Sequence, residues 1–135
     1  MKNEEKIEKC ARAAHNTVVT YCKMHGDHSI KEWDDAQQWQ RDSTVAMVKS
    51  VLAGNYSPRG EHDRWLQGKI DQGYVWGPVK NDDKDAGPLT NPQMIDYDKL
   101  PIVQRMKDHL LIVVTVGMAA HYELQIAKVP DLVLA

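Results

Sequence analysis

The sequence predicts a mainly α-helical protein: four helices with a short strand or extended arm between the third and the fourth. Three observations carry that reading. Apolar residues recur at steps of three and four in three long stretches. A further stretch is bracketed by a Ser-Pro start and a glycine stop. Only Tyr74-Val75-Trp76 alternates in the manner of a strand. At 135 residues the chain, 1–135, reads as a single domain. Its 42% apolar and 27% charged residues are ordinary for a globular protein.

The first helix runs from about Asn3 to Met24, with Ile7, Cys10, Ala11, Ala14, Val18, Tyr21 and Cys22 on its apolar face and Gly26 ending it. A polar connection follows, in which Trp33 looks exposed. The second helix is expected to begin near Asp34 or Asp35, either of which can cap it. Its apolar set is Ala36, Trp39, Ala46, Met47, Val48, Val51 and Leu52, and Gly54-Asn55 ends it. Ser57-Pro58 reads as an N-cap followed by proline at the first helical position, and that third helix runs to Gln72 before Gly73. After the arm and the Gly77-Pro78 turn comes a polar loop, 81–92. Pro101 starts the fourth helix, with Asp98 placed to cap its entry. Leu110, Val113, Val114, Gly117 and Met118 are expected inward, and Gly117 suggests close packing against a neighbour. The tail, 122–135, turns apolar and is expected to pack on a partner or on the domain edge.

Composition excludes several functions. A net charge of -2 with interspersed signs argues against a nucleic-acid polymer as partner. The charged opening Met1 to Lys6 does not resemble a signal peptide, and the longest apolar run, Leu110 to Ala120, falls short of a membrane span. Cys10 and Cys22 on one helix would stand about 18 Å apart, beyond disulfide reach. They read as reduced, half-buried thiols of a cytoplasmic protein. No phosphate-cradling glycine loop, zinc-protease helix or nucleophile elbow is present, so no enzyme activity and no cofactor is expected. His25-x-x-His28 has metal-ligand spacing but lacks a third ligand nearby, so no metal site is assigned.

The informative stretch is His62 to Pro101. It groups Trp65, Tyr74, Trp76 and Tyr97 with cations and carboxylates around Gly77-Pro78. The grouping is either an aromatic core or a platform for a flat ligand, since these rings can stack on a purine. Core use is the first reading for Trp76 and Tyr97 and the base rate for Trp65 too, where only a family resemblance brings the two readings level. Lys69, Arg64, Lys80 and Arg105 can pair with phosphate, or they are solvated surface charges. Lys69 is the best of them because it lies one helical turn after Trp65 on the same face. Asp98 and Asp108 can accept from a base or ribose, although Asp98 reads first as the helix cap. His62 can act as acid or base, or hydrogen-bond within the fold.

The elements His62-x-x-Trp65, Lys69-x-x-x-Gly73-Tyr74-Val75-Trp76-Gly77-Pro78-Val79-Lys80 and Tyr97-Asp98-x-Leu100-Pro101 together resemble the Ryr domain, the repeat of animal ryanodine receptors that also occurs singly in short bacterial and phage proteins. Trp33-x-x-Ala36-x-x-Trp39-Gln40-Arg41-Asp42-Ser43 and the first helix, with Ala11, Ala14 and His15, resemble the short form, so the likeness covers about 5–118. The chain departs from the family pattern at Tyr74 and Trp76, whose order is often reversed, and at Gly87-Pro88, where the family often has His-Pro. The resemblance implies a Ryr-type helical fold that pairs as a two-fold homodimer, copying a tandem repeat. It implies that Trp65 of each copy sandwiches an adenine, with Lys69 as the matching cation and Asp108 as the matching polar residue. The expected function is then non-enzymatic binding of an adenine-type nucleotide or nucleotide-derived signal, to sense or sequester it, as in phage counter-defence. The alternative is a protein-interaction or structural module without a small ligand. A weaker reading is a hydrolase acting through His62 and Asp98.

Overall fold

The computed structural model describes residues 1–128. It is mainly helical, with four helices and a two-stranded parallel sheet: α1 Asn3–Met24, α2 Gln38–Leu52, α3 Pro58–Asp71, β1 Val75–Trp76, β2 Thr90–Asn91 and α4 Ile102–His121. Short 3-10 turns cover Trp33–Asp35 and Tyr97–Lys99. No helix of the described residues is long and apolar enough to cross a membrane. The chain divides into two compact units, one of Met1–Ser57 with the chain from Met106 onward, the other Pro58–Arg105.

In the first unit, Cys10, Ala11 and Ala14 of α1 meet Met47, Val48 and Val51 of α2, with Trp33, Tyr56 and Ile112 completing the core. Small residues on α1 let its backbone approach α2 closely, and the larger side chains come from α2 and α4. Both cysteines are fully buried rather than half-buried, at 0% and 2% exposure. Burial pushes both thiols above their ordinary pKa, and at Cys22 the nearby Lys107 offsets part of that rise. Native protein should therefore resist iodoacetamide at mildly alkaline pH, whereas both cysteines label once denaturant is added. Mass spectrometry of the adducts reads the difference.

Five expectations for this unit are corrected. Trp33 is buried, at 2% exposure, because α1 reaches up to it. Asn16 Oδ1 accepts from the Trp33 backbone N–H at 2.9 Å, and His15 meets the indole edge-on at 5.9 Å. His15 itself donates Nε2–H to the Lys31 carbonyl at 2.7 Å. This anchoring delays α2, so Asp34 and Asp35 belong to the 3-10 turn, extended Ala36 follows, and the helix starts at Gln38. Trp39, assigned to the apolar face, is 66% exposed. On α4 the buried residues are His109, Ile112, Thr115 and Ala119; of the expected set Val114 and Met118 pack half-buried against the core, whereas Val113 is 52% exposed. The run Leu110 to Ala120 is apolar nearly all round, so periodicity cannot select its inner face. Gly117 is exposed, and a Cβ built there would meet nothing within 4 Å. Of the tail, Tyr122 and Leu124 pack on the core and Ala127 N–H donates to the Leu52 carbonyl at 2.8 Å. Residues 129–135 lie outside the described residues.

In the second unit, α3 begins at Pro58 and stops at Gly73, whose φ of +88° is left-handed backbone that suits glycine. β1 pairs with β2 in register Val75 with Thr90 and Trp76 with Asn91. Asn81 bridges to Thr90, its Nδ2 donating to the Pro88 and Asp83 carbonyls, and Thr90 Oγ1 donates to the Val79 carbonyl at 2.7 Å. These bonds close the polar loop on itself. Gly77 is the tight point, since a Cβ there would stand 2.6 Å from Thr90 Cβ. The nearest atom is Thr90 Cβ, which no side-chain rotation moves, so only a backbone shift relieves the contact. Gly77→Ala should cost about 1–3 kcal/mol through overpacking. Thermal melting against wild type, with Thr90→Gly as the second change that removes the opposing Cβ, checks that origin: Gly77→Ala should cost less in the Thr90→Gly background than in wild type.

Candidate functional site

The residues nominated around His62 and Trp65 form a continuous ladder of rings and cations within the second unit. Arg59, His62, Trp65 and Lys69 are spaced three, three and four apart, so they share one stripe of α3. His62 and Trp65 are stacked, with ring centroids 5.6 Å apart and planes 25° from parallel. On one side of this pair, Lys69 Nζ lies 6.0 Å from the Trp65 ring and 4.3 Å from the Tyr74 ring. On the other, His62 meets Tyr97 at 6.1 Å. Two guanidiniums reach the Tyr97 ring, Arg59 at 5.0 Å and Arg105 at 6.0 Å.

The ladder is pinned at its middle and at both ends. His62 is buried, at 6% exposure, and its Nε2–H donates to the Ile95 carbonyl at 2.6 Å. That bond places the proton on Nε2. It also spends His62 on holding the segment before Tyr97 against α3, which leaves it poorly placed for acid-base work. Tyr74 Oη donates to Asp82 at 2.8 Å, and the carboxylate so engaged holds the phenol above its ordinary pKa. Lys80 approaches the same Asp82 at 3.7 Å. At the far end Arg59 grips Asp98 with both terminal nitrogens, at 3.2 and 2.5 Å. That grip, with the field of Arg105, holds the Asp98 carboxyl below its ordinary pKa.

The nominated residues divide between the fold, the ladder and the surface. Tyr97 is buried, at 5% exposure, and serves the fold of the unit, as the core reading expected. Trp76 does not: it is 55% exposed, beside Val75 at 56% and Val79 at 73%, and makes no ring contact with the ladder among the described residues. β1 is two residues long and both are exposed, so the strand-like alternation carries no buried face. Arg64 turns to Glu61, one turn back on α3, at 2.8 Å. Asp98 lies inside the second 3-10 turn, held by Arg59, and Leu100 is extended before α4 begins. Asp108 belongs to the first unit, half-buried on α4. His25 packs on Tyr21 at 4.6 Å, and no group of three or more metal-ligating side chains occurs among the described residues.

Sequence reasoning missed Arg59 and Asp82. Arg59 was detectable as the next residue along the His62–Lys69 stripe. Asp82 reaches Tyr74 through the fold of the 77–90 loop, which no periodicity encodes. A groove of about 430 Å³ in the first unit, lined by Asn16, Thr17, Thr20, Tyr21, Met24 and Leu110, contains none of the nominated residues. It offers no charged group to a ligand, so the ladder is the better candidate despite its open form.

No protein-family model, no curated protein and no solved structure matches the chain.

The chemistry available at the Lys69 end follows from its partners. Trp65 is half-buried, so part of its ring remains accessible. Lys69 makes no ion pair among the described residues, although it lies against two aromatic faces. A cation over two rings retains its attraction for an anion, because the ring quadrupoles orient the ammonium without neutralising it. The result is a flat π-surface beside an uncompensated positive charge.

Proposed function

We propose that this chain is a non-enzymatic binding module for an adenine-type nucleotide or a nucleotide-derived signalling molecule. The observation that carries the reading is Lys69, a cation without a carboxylate partner, set over Tyr74 and beside the half-buried Trp65. The base stacks on Trp65, and Lys69 neutralises a phosphate. A base on an aromatic side chain is worth about 1–3 kcal/mol. One ring and one charge make a weak site, and a second copy closing over the same base would strengthen it. A Ryr-type fold paired as a homodimer, in the manner that the resemblance of His62-x-x-Trp65 and its companion elements implies, has that arrangement. Sensing or sequestering a signalling nucleotide, including counter-defence in a phage, is the use such a module suits.

Calorimetric titration with ATP, ADP-ribose and cyclic oligonucleotides tests the reading, together with sedimentation velocity with and without the binding ligand. Saturable heat with one of them supports it, and sedimentation as a dimer supports the paired form. Absence of heat with all of them at high protein concentration sinks it.

A second reading, a protein-interaction module, is favoured by the exposed Val75, Trp76 and Val79. It predicts that Trp76→Ser abolishes partner capture from the native host while Trp65→Ala leaves it intact.

A further inference from the structure

The other end of the ladder poses a different question. Two guanidiniums lie against Tyr97, yet they are not served equally. Arg59 holds Asp98 with both terminal nitrogens, and the charge of Asp63 acts on it as well. Arg105 has no carboxylate within ion-pair distance among the described residues. Its Nε is buried and finds no hydrogen-bond acceptor there. A buried donor without an acceptor carries a desolvation cost that an oxyanion removes. Asp98 feels the field of Arg105, but its oxygens are already taken by Arg59.

The position of Arg105 sharpens the point. It is the fourth residue of α4, and the first turn of that helix carries no acidic residue. A cation at the positive end of a 20-residue helix is disfavoured unless negative charge is supplied from elsewhere. The Tyr97 ring orients the guanidinium without supplying a full charge. The orphan Nε and the charge imbalance therefore ask for the same group.

We propose that Arg105, with Arg59 beside it on Tyr97, forms an anion subsite for a phosphate monoester, distinct from the Lys69 end of the ladder. A guanidinium presents Nε–H and one terminal N–H as a fork that matches two phosphate oxygens; the Nε edge of Arg105 is covered in this structure, so the subsite forms when that side chain turns on the Tyr97 ring to bring the edge out. Two guanidiniums and a helix N-terminus around Asp98 favour a dianion over a monoanionic carboxylate. Trp65, His62 and Tyr97 stand between this subsite and Lys69 along the ladder, so the inference does not depend on nucleotide binding. The phosphoryl group can come from a soluble metabolite or from a lipid headgroup, and the chemistry is shared.

The test is a proton–nitrogen NMR spectrum tuned to arginine Nε–H, recorded on the full chain. Arg105→Lys assigns the resonance by removing it. Inorganic phosphate and glycerol 3-phosphate are titrated against sodium chloride at matched ionic strength. Phosphatidylcholine vesicles with and without phosphatidic acid form a separate arm. The expected result is a saturable shift of the Arg105 Nε–H signal with phosphate, in the low-millimolar range or tighter, and none with chloride. Arg105→Gln should weaken phosphate binding at least tenfold, read at the Arg59 Nε–H signal, and Lys49→Gln, at an exposed lysine of α2 outside the ladder, should leave it unchanged. A shift with soluble phosphates assigns the metabolite source, and a shift with phosphatidic acid vesicles alone assigns the headgroup; either supports the subsite. No shift at tens of millimolar phosphate and none with vesicles overturns it, as does an equal shift with chloride or undiminished affinity in Arg105→Gln. If Arg105→Gln does not fold, the wild-type Nε–H signal decides alone. Because inorganic phosphate has no base to stack, failure of ATP to bind leaves this result readable, and the reverse also holds.

Discussion

Trp33→Ala should be the most destabilising single substitution in the first unit, costing about 3–5 kcal/mol. A domain of this size has roughly 5–15 kcal/mol in total, so the change removes a large share. It should lower the melting temperature by roughly 10–25 °C. The reason is the ring, which fills the core with Cys10, Val48 and Ile112; the backbone N–H held by Asn16 is kept in the alanine variant, so the loss is one of packing. Arg41 also lies over the ring at 5.8 Å, so truncation leaves that guanidinium without its platform. Trp33→Phe separates the parts. The indole Nε1–H is buried and has no acceptor among the described residues, so phenylalanine removes an unsatisfied donor while keeping most of the apolar area. Its cost should be clearly smaller than that of alanine. Equal losses for the two variants, read by thermal and urea unfolding, would contradict this account.

The same residue explains where the sequence was readable and where it was not. Helices α1 and α3 were legible almost to the residue, because periodicity, Pro58, Gly26 and Gly73 agree with one another. Trp33 sits in a connection with no period, and its burial depends on Asn16 and His15 two helical faces away in sequence space. No local pattern reports such an anchor. Trp39 failed for the opposite reason: it matched a helical period by chance, while the start of α2 had already been set by the Trp33 anchor. In α4 the apolar run offers too many solutions, and the one that wins is chosen by what α1 and α2 leave open.

The site follows the same logic. The stripe Arg59, His62, Trp65 and Lys69 is helical spacing, and three of its four members were found from it. Tyr74 and Tyr97 join the stripe through a strand pairing and a 3-10 turn, yet both were found because they stand inside short, chemically dense elements. Trp76 was misplaced because a two-residue strand has no neighbours on its far side to cover it. Arg64 was discounted by nothing in its spacing; Glu61 one turn earlier is the feature that decides it, and that pair was visible in the sequence.

Trp65→Ala should lower affinity for the bound nucleotide by roughly 5- to 150-fold, the equivalent of about 1–3 kcal/mol for one base on one ring. Lys69→Gln should weaken binding of phosphorylated ligands while sparing the unphosphorylated nucleoside, because the charge acts on phosphate and the ring acts on the base. Its effect should also shrink as salt rises, whereas that of Trp65→Ala should persist. Neither change touches the His62–Ile95 hydrogen bond that pins the ladder, so the fold of the unit is expected to survive both. Trp76→Ala supplies the control, being a tryptophan of the same unit that is exposed and outside the ladder. Calorimetry with the binding nucleotide and its nucleoside, on wild type and the three variants at low and high salt, separates the two contributions. Loss of affinity in Trp76→Ala equal to that in Trp65→Ala would move the ligand off the ladder and onto the exposed Val75-Trp76 arm. Loss in Lys69→Gln alone, with Trp65→Ala unaffected, would mean that the site reads a charge and no base, which removes the nucleotide from the proposal and leaves a plain anion site.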